Sequence, residues 1–236
     1  MSRSLNLNRG RLRPLIPIEN IMRVNLYRSL LLIFLSFSLN ATEKPNVLLI
    51  MVDDMNTMLS TYGDTQVKTP NLEKLKANGI QFNRAYVQYP QCTASRASML
   101  TGLYPGQNGV TQLRQHFRNY VPWVKTLPQV FKENGYYTAR VGKIFHYDVP
   151  REMGTDGMDD PISWIDKYNP VGIDRTDHKK TKWLGPRKPK DKWGGGAISW
   201  IRAGGSSQEH TDGIATQQAI KILDSKHPKK TGDPFF

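Results

Sequence analysis

Two short stretches of the sequence gather residue types that do chemistry. Asp53-Asp54 closes the continuous apolar run Val47-Leu48-Leu49-Ile50-Met51-Val52. Adjacent carboxylates repel each other unless a cation neutralises them, and hard oxygen donors suit Ca2+ or Mg2+. A solvated acidic turn would carry the same residues. The second stretch holds Cys92, the only cysteine of the 236 residues. A lone Cys makes no internal disulfide, so it is unpaired, partnered to another chain, or chemically special. It precedes a helical pattern, Ser95 to Thr101, closed by Gly102. Backbone N–H groups and the dipole at a helix start favour an anion. Arg96, four residues on, adds positive charge. A reactive cysteine is one reading, and a buried structural cysteine is the plainer one.

The elements that must position these residues alternate. The apolar run 47–52 reads as a strand buried on both faces, as in a parallel sheet. Thr69-Pro70-Asn71 opens a helix, with Thr69 as N-cap and Pro70 at the first helical position, and Asn78-Gly79 ends it. Residues 80–87 are strand-like. Thr126 caps a helix from Leu127 to Asn134, stopped by Gly135, and residues 136–141 form a further strand. Strand, helix and strand at this spacing predict βαβ units, an α/β fold with a mostly parallel sheet flanked by helices. Sites in such sheets lie beyond the carboxyl ends of strands, where Asp53-Asp54 falls. Residues 148–208, rich in Pro, Gly, Trp and charge, read as long loops. Thr211-Asp212 caps a last helix with Ala215, Ala219, Ile222 and Leu223 on one face. Residues 228–232 form a turn, and Asp233-Pro234-Phe235-Phe236 looks like the entry to another strand.

Cys92-x-Ala94-x-Arg96, followed by Leu100-Thr101-Gly102, resembles the signature of the type I sulfatases. The usual pattern has Pro at the position of Ala94. KPNVLLIMVDDM resembles the family's first strand and metal-binding Asp pair. TPNLEKLKANGIQFNRAYVQYP is similar to the segment leading to the Cys, and TLPQVFKENGYYTARVGKIFH to a later helix and strand. Lys143 and His146, three apart, resemble the iduronate-2-sulfatase branch; alone they read as a surface Lys and a satisfied His. The resemblance is close over residues 44–146. It implies an alkaline-phosphatase-like fold, and formylglycine made from Cys92 by a maturation enzyme. It implies Ca2+ held by Asp53, Asp54 and the modified Cys92. Arg96 and Lys143 would stabilise the nucleophile and the sulfate oxygens, and His146 would act as base. The family's remaining metal ligands lie beyond the Phe-Phe strand. The expectation is therefore a truncated, N-terminal part of a catalytic domain over 42–236, inactive alone.

The formal charge is +13, of which residues 42–236 carry +8. A basic surface attracts polyanions without saying which. Lys179, Lys180, Lys182, Arg187, Lys188, Lys190 and Lys192 surround Trp183 and Trp193. Such a loop suits a sulfated sugar, or is simply solvated. Met22-Arg23 to Arg28 is a short basic region, and Leu30 to Leu39 is apolar, followed by small or polar residues to Ala41. That is the plan of a signal peptide over 22–41, with cleavage near Ala41 and a secreted or periplasmic product. Ten residues rise about 15 Å as a helix, too short for a stable membrane anchor. Residues 1–21 fit no targeting plan. The expected substrate is a sulfated carbohydrate, and no nucleic acid is expected. The rival readings are a phosphoesterase or phosphonate hydrolase of the same superfold, and a non-catalytic binder of sulfated glycan. Fold alone does not separate them.

Overall fold

The computed structural model describes residues 44–184 and 199–236. The signal-peptide plan, residues 1–21, and Arg187, Lys188, Lys190, Lys192 and Trp193 of the basic loop lie outside the described residues. The chain divides into two compact units, Met1–Lys44 and Pro45–Phe236, and the described elements lie in the second.

Helix α1 spans Pro70–Ala77, with Pro70 at its first turn as expected. Thr69 does not cap it with its side chain, because its hydroxyl is 2.5 Å from that of Ser60 instead. Helix α2 spans Cys92–Thr101 and so starts three residues earlier than its sequence pattern suggests. It ends at Gly102, whose φ of 71° lets its N–H turn back to Ser98 O. Thr93, Ala94, Arg96, Ala97, Ser98 and Leu100 are its buried residues. Ala94, Ala97 and Leu100 pack into the core with Val110, Phe117, Val121, Phe145 and Trp164. The core rings interlock: Phe117 stacks on Phe145 at 5.8 Å, and Phe145 meets Trp164 edge-on at 6.4 Å. Helix α3, Leu127–Glu133, is capped as its sequence predicts, with Gln129 N–H donating to Thr126 Oγ1 at 3.2 Å.

Strand β1, Ala139–Val141, follows α3 and pairs in parallel with β2, Asp166–Tyr168. On the other edge of β1, Tyr137 N–H donates to Pro234 O, Phe236 N–H to Tyr137 O, and Ala139 N–H to Phe236 O, at 2.9–3.1 Å. The closing residues thus enter the sheet as a parallel neighbour, as expected. Val47 N–H extends the row by donating to Phe235 O at 2.9 Å. A small antiparallel pair, β3 (Lys182–Trp183) with β4 (Ser199–Trp200), lies further on. The stretch 148–208 is therefore not all loop: it contributes β2, β3 and β4. Helix α4 spans Thr211–Ser225, with Ala215, Ala219, Ile222 and Leu223 half-buried along one side. Its N-cap is His210 rather than the expected Thr211. The Thr211 hydroxyl is spent on Asp174, at 2.8 Å.

Two expected strands are absent. Residues 47–52 are irregular, and Leu48, Ile50 and Val52 are more than half exposed. Residues 80–87 are irregular too, with Ile80, Phe82, Tyr86 and Val87 exposed. Apolar runs of this kind become strands only when neighbours pair their edges and cover both faces. Here the first run finds pairing at Val47 alone, and the second makes no ladder.

Candidate active site

Cys92 is the first residue of α2, half-buried and free of any disulfide. One turn on, Arg96 is 5% exposed. Its guanidinium ties three segments together. Nη1 donates to Lys143 O at 2.5 Å and to Ile144 O at 2.8 Å, and Nη2 to Asp53 Oδ1 at 2.8 Å. Lys143 Nζ donates to the other oxygen, Asp53 Oδ2, at 2.6 Å. Partial burial pushes the Asp53 carboxyl up, but hydrogen bonds and charge from Lys143 and Arg96 outweigh it and hold it below the usual carboxylate range.

Lys143 reaches this position from the carboxyl end of β1. Gly142 makes the turn, with φ 73°. Arg140 anchors the strand from inside. It forms a buried ion pair with Asp159 at 2.7 Å and donates to Asn169 Oδ1 at 2.7 Å and to Gly142 O at 3.2 Å. Asp54 sits in a left-handed backbone conformation, φ 54°. Among non-glycine residues Asp is one of the few that adopts it readily.

His146 is 4% exposed. Its Nε2 lies 3.2 Å from Asp148 Oδ1, and its buried Nδ1 has no hydrogen-bond partner among the described residues. Burial, then the charge of Lys143, lowers its pKa; Asp148 opposes them without prevailing. Asp148 Oδ2 accepts from both Arg114 and Arg151. Burial raises the Asp148 carboxyl, but the Arg114 charge and the Arg151 hydrogen bond bring it below its ordinary value. Arg114 also donates to Glu152 Oε1 at 2.7 Å. The neighbouring loop is tied to α2 by Thr93 Oγ1, which donates to Leu113 O at 3.0 Å. A cavity of about 10 Å3 lies between Thr93, Arg96, Gln115, His116 and His146.

The structure thus joins Asp53, Arg96 and Lys143 directly, and puts Cys92 one helical turn from Arg96. His146 instead engages Asp148, a partner that sequence reasoning missed, along with Arg114, Arg140, Asp159 and Glu152. Asp148, two residues after His146, and the doublet Asp159-Asp160 were the available signals.

Asp53 and Asp54 offer the hard oxygens a Ca2+ ion prefers. Among the described residues no group of three or more His, Cys, Asp and Glu gathers to hold a metal. Ca2+ takes roughly 6–8 oxygens, so these residues match it in donor type but are too few to fill its shell.

The sulfatase family model matches residues 45–236, a span that includes every residue of this cluster. The chain belongs to the sulfatase family. It is 33% identical over 198 residues to the iduronate 2-sulfatase of Homo sapiens, covering 84% of this chain and 34% of that protein. It is 30% identical over 205 residues to a sulfatase of Formosa agariphila, covering 82% of this chain and 38% of that protein. The chain therefore spans about a third of the length of these curated relatives. Two solved structures share its fold. One, in complex with its substrate D-glucosamine-2-N,6-O-disulfate, has a TM-score of 0.54 at 23% identity, over 82% of this chain and 33% of that one. The other, the phosphonate monoester hydrolase of Agrobacterium radiobacter, has a TM-score of 0.58 at 21% identity, over 82% and 40%. The fold is alkaline-phosphatase-like, in keeping with the parallel pairing around β1. Among the described residues no helix is long and apolar enough to cross a membrane.

Proposed function

We propose that this chain carries the nucleophile half of a site that hydrolyses sulfate esters on sulfated sugars. Its nucleophile is formylglycine made from Cys92 by a maturation enzyme in a secreted or periplasmic protein, and its metal is Ca2+. The observation that carries the reading is the double grip on Asp53 by Arg96 and Lys143, one helical turn from Cys92. When present, formylglycine and Ca2+ supply an oxygen nucleophile at neutral pH and positive charge beside the sulfur. Asp53 and Asp54 would hold the cation and supply part of its shell. Arg96 and Lys143 present fixed positive charge to the sulfate oxygens as charge shifts onto them. Arg96 is locked by two backbone carbonyls as well as Asp53, so little reorganisation accompanies reaction. His146, kept neutral near pH 7 by burial and by Lys143, is the proton acceptor.

The test compares sulfated monosaccharides with the matching phosphate esters, using intact protein matured in an exporting host. Release of sulfate in preference to phosphate is the expected result. Lys143→Ala should lower kcat about 10²–10³-fold, the usual cost of losing one preorganised charge-stabilising donor. The likeness in fold to a phosphonate monoester hydrolase favours one rival reading. Preference for phosphonate or phosphate esters would establish that rival and overturn the sulfatase reading. Binding of sulfated glycan with no turnover would overturn both.

A further inference from the structure

The function proposed above makes His146 a base without saying which ring nitrogen takes the proton. The described contacts separate the two. Nε2 faces Asp148 Oδ1 at 3.2 Å, while Nδ1 is buried with no partner among the described residues. We infer that Asp148 is a positioning residue that accepts the Nε2–H of His146, fixes that tautomer, and leaves Nδ1 as the basic atom. This consequence for catalysis rests on the sulfatase reading; the tautomer itself does not.

An ionised carboxylate only accepts, so a neutral imidazole facing it must present N–H from that nitrogen. Asp148 is kept ionised by its surroundings: both Arg114 and Arg151 donate to its Oδ2. Its place is fixed as well. Asp148 N–H donates to Glu152 Oε2 at 2.8 Å, Glu152 N–H donates back to Asp148 O at 2.7 Å, and Arg114 bridges both carboxylates. The Asp148 carboxylate therefore meets His146 in one geometry, with its Oδ2 taken by two guanidiniums and its backbone tied to Glu152.

The other nitrogen has the opposite character. A buried polar atom without a partner is costly and calls for a reason, of which a lone pair kept for chemistry is one. His146 is nearly fully enclosed, and it lines the small cavity it shares with Thr93 and Arg96. Thr93 and Arg96 both lie on α2 within one turn of Cys92. Nδ1 is thus the nitrogen left to take a proton, while Asp148 stabilises the imidazolium that results. Asp148 gives up and takes no proton in this step: the proton moves to Nδ1, and the Nε2–H bond stays intact.

The experiment is nitrogen NMR of protein labelled with 15N at histidine. The His146 signals are assigned by their loss in His146→Gln. The expected result is the Nε2–H tautomer at pH 8, converted in Asp148→Ala to a mixture or to Nδ1–H, and restored in Asp148→Glu. A wild-type Nδ1–H tautomer, or an Asp148→Ala spectrum that keeps the Nε2–H form, overturns the inference. If Asp148→Ala fails to fold, the wild-type tautomer alone decides. In an active preparation, Asp148→Ala should also lower kcat about 10–100-fold with KM little changed, because misorienting a general base forfeits part of its contribution. Loss confined to KM contradicts a positioning role. A protein with the Nε2–H tautomer but no turnover of any sulfate ester would sink the sulfatase reading and leave the tautomer assignment standing.

Discussion

At the residue scale, each member of the cluster owes its character to a named neighbour. Asp53 is balanced by two cations, and His146 is enclosed, faces Asp148 and feels the charge of Lys143. The shift at His146 makes stability depend on pH. Its folded pKa lies below the unfolded value of about 6.5, so the unfolded chain binds the extra proton first as pH falls. The contribution is fully present above about pH 6.5 and is lost progressively as pH drops toward the folded pKa. Denaturant midpoints measured from pH 7.5 to 5 should fall in the wild type and fall less in His146→Gln. Equal slopes would mean that His146 titrates as it does in the unfolded chain. Cys92, Arg96, Asp53 and Asp54 stood out in the sequence as candidates because they sit in short, unusual patterns. Asp148 was not, since one carboxylate in a charged loop carries no pattern and its meaning comes only from the ring it faces.

At the scale of elements, the site is held by the start of α2 and by the turn after β1. The first is legible from Gly102 and the helical spacing of its small residues; its start at Cys92 is not, because Gln91 caps it without a side-chain hydrogen bond. The second depends on Arg140, whose partners Asp159 and Asn169 lie 19 and 29 residues away. A pairing at that separation leaves no local trace. Strand β2 escaped notice for a related reason: its three residues, Asp166-Lys167-Tyr168, are exposed and polar, and only pairing with β1 makes them a strand. Arg140→Leu should destabilise the fold by about 3–5 kcal/mol, because it leaves the Asp159 charge buried without its partner. Asp159 retains the Trp164 Nε1–H bond, which is a weak substitute for a cation. Urea denaturation checks this, and a loss below about 1 kcal/mol would show the pair to be dispensable.

At the scale of the whole molecule, the sheet is narrow and two apolar segments are uncovered. Ile80 and Phe82 are 83% and 72% exposed, and Ile50 is 73% exposed. The alternation of strands and helices predicted a parallel sheet, but the strands it counted on, 47–52 and 80–87, are irregular, because an apolar run says only what it will do once covered; β1 finds its parallel partners in β2 and the closing residues instead. Exposed apolar patches of this kind bind hydrophobic probes and promote association. The 236-residue chain should bind a hydrophobic dye strongly, and Ile80→Ser with Phe82→Ser should weaken that binding and raise solubility. Dye binding unaffected by the double change would place the apolar surface elsewhere. The central claim, that the start of α2 holds the precursor of the nucleophile, meets its most direct test in the tryptic peptide spanning residues 85–96, which contains Cys92. Mass spectrometry of protein exported alongside a formylglycine-generating enzyme should find this peptide lighter by about 18 Da, the difference between a thiol and an aldehyde at this side chain. An unmodified thiol, under conditions that convert a known sulfatase in the same host, would contradict the account.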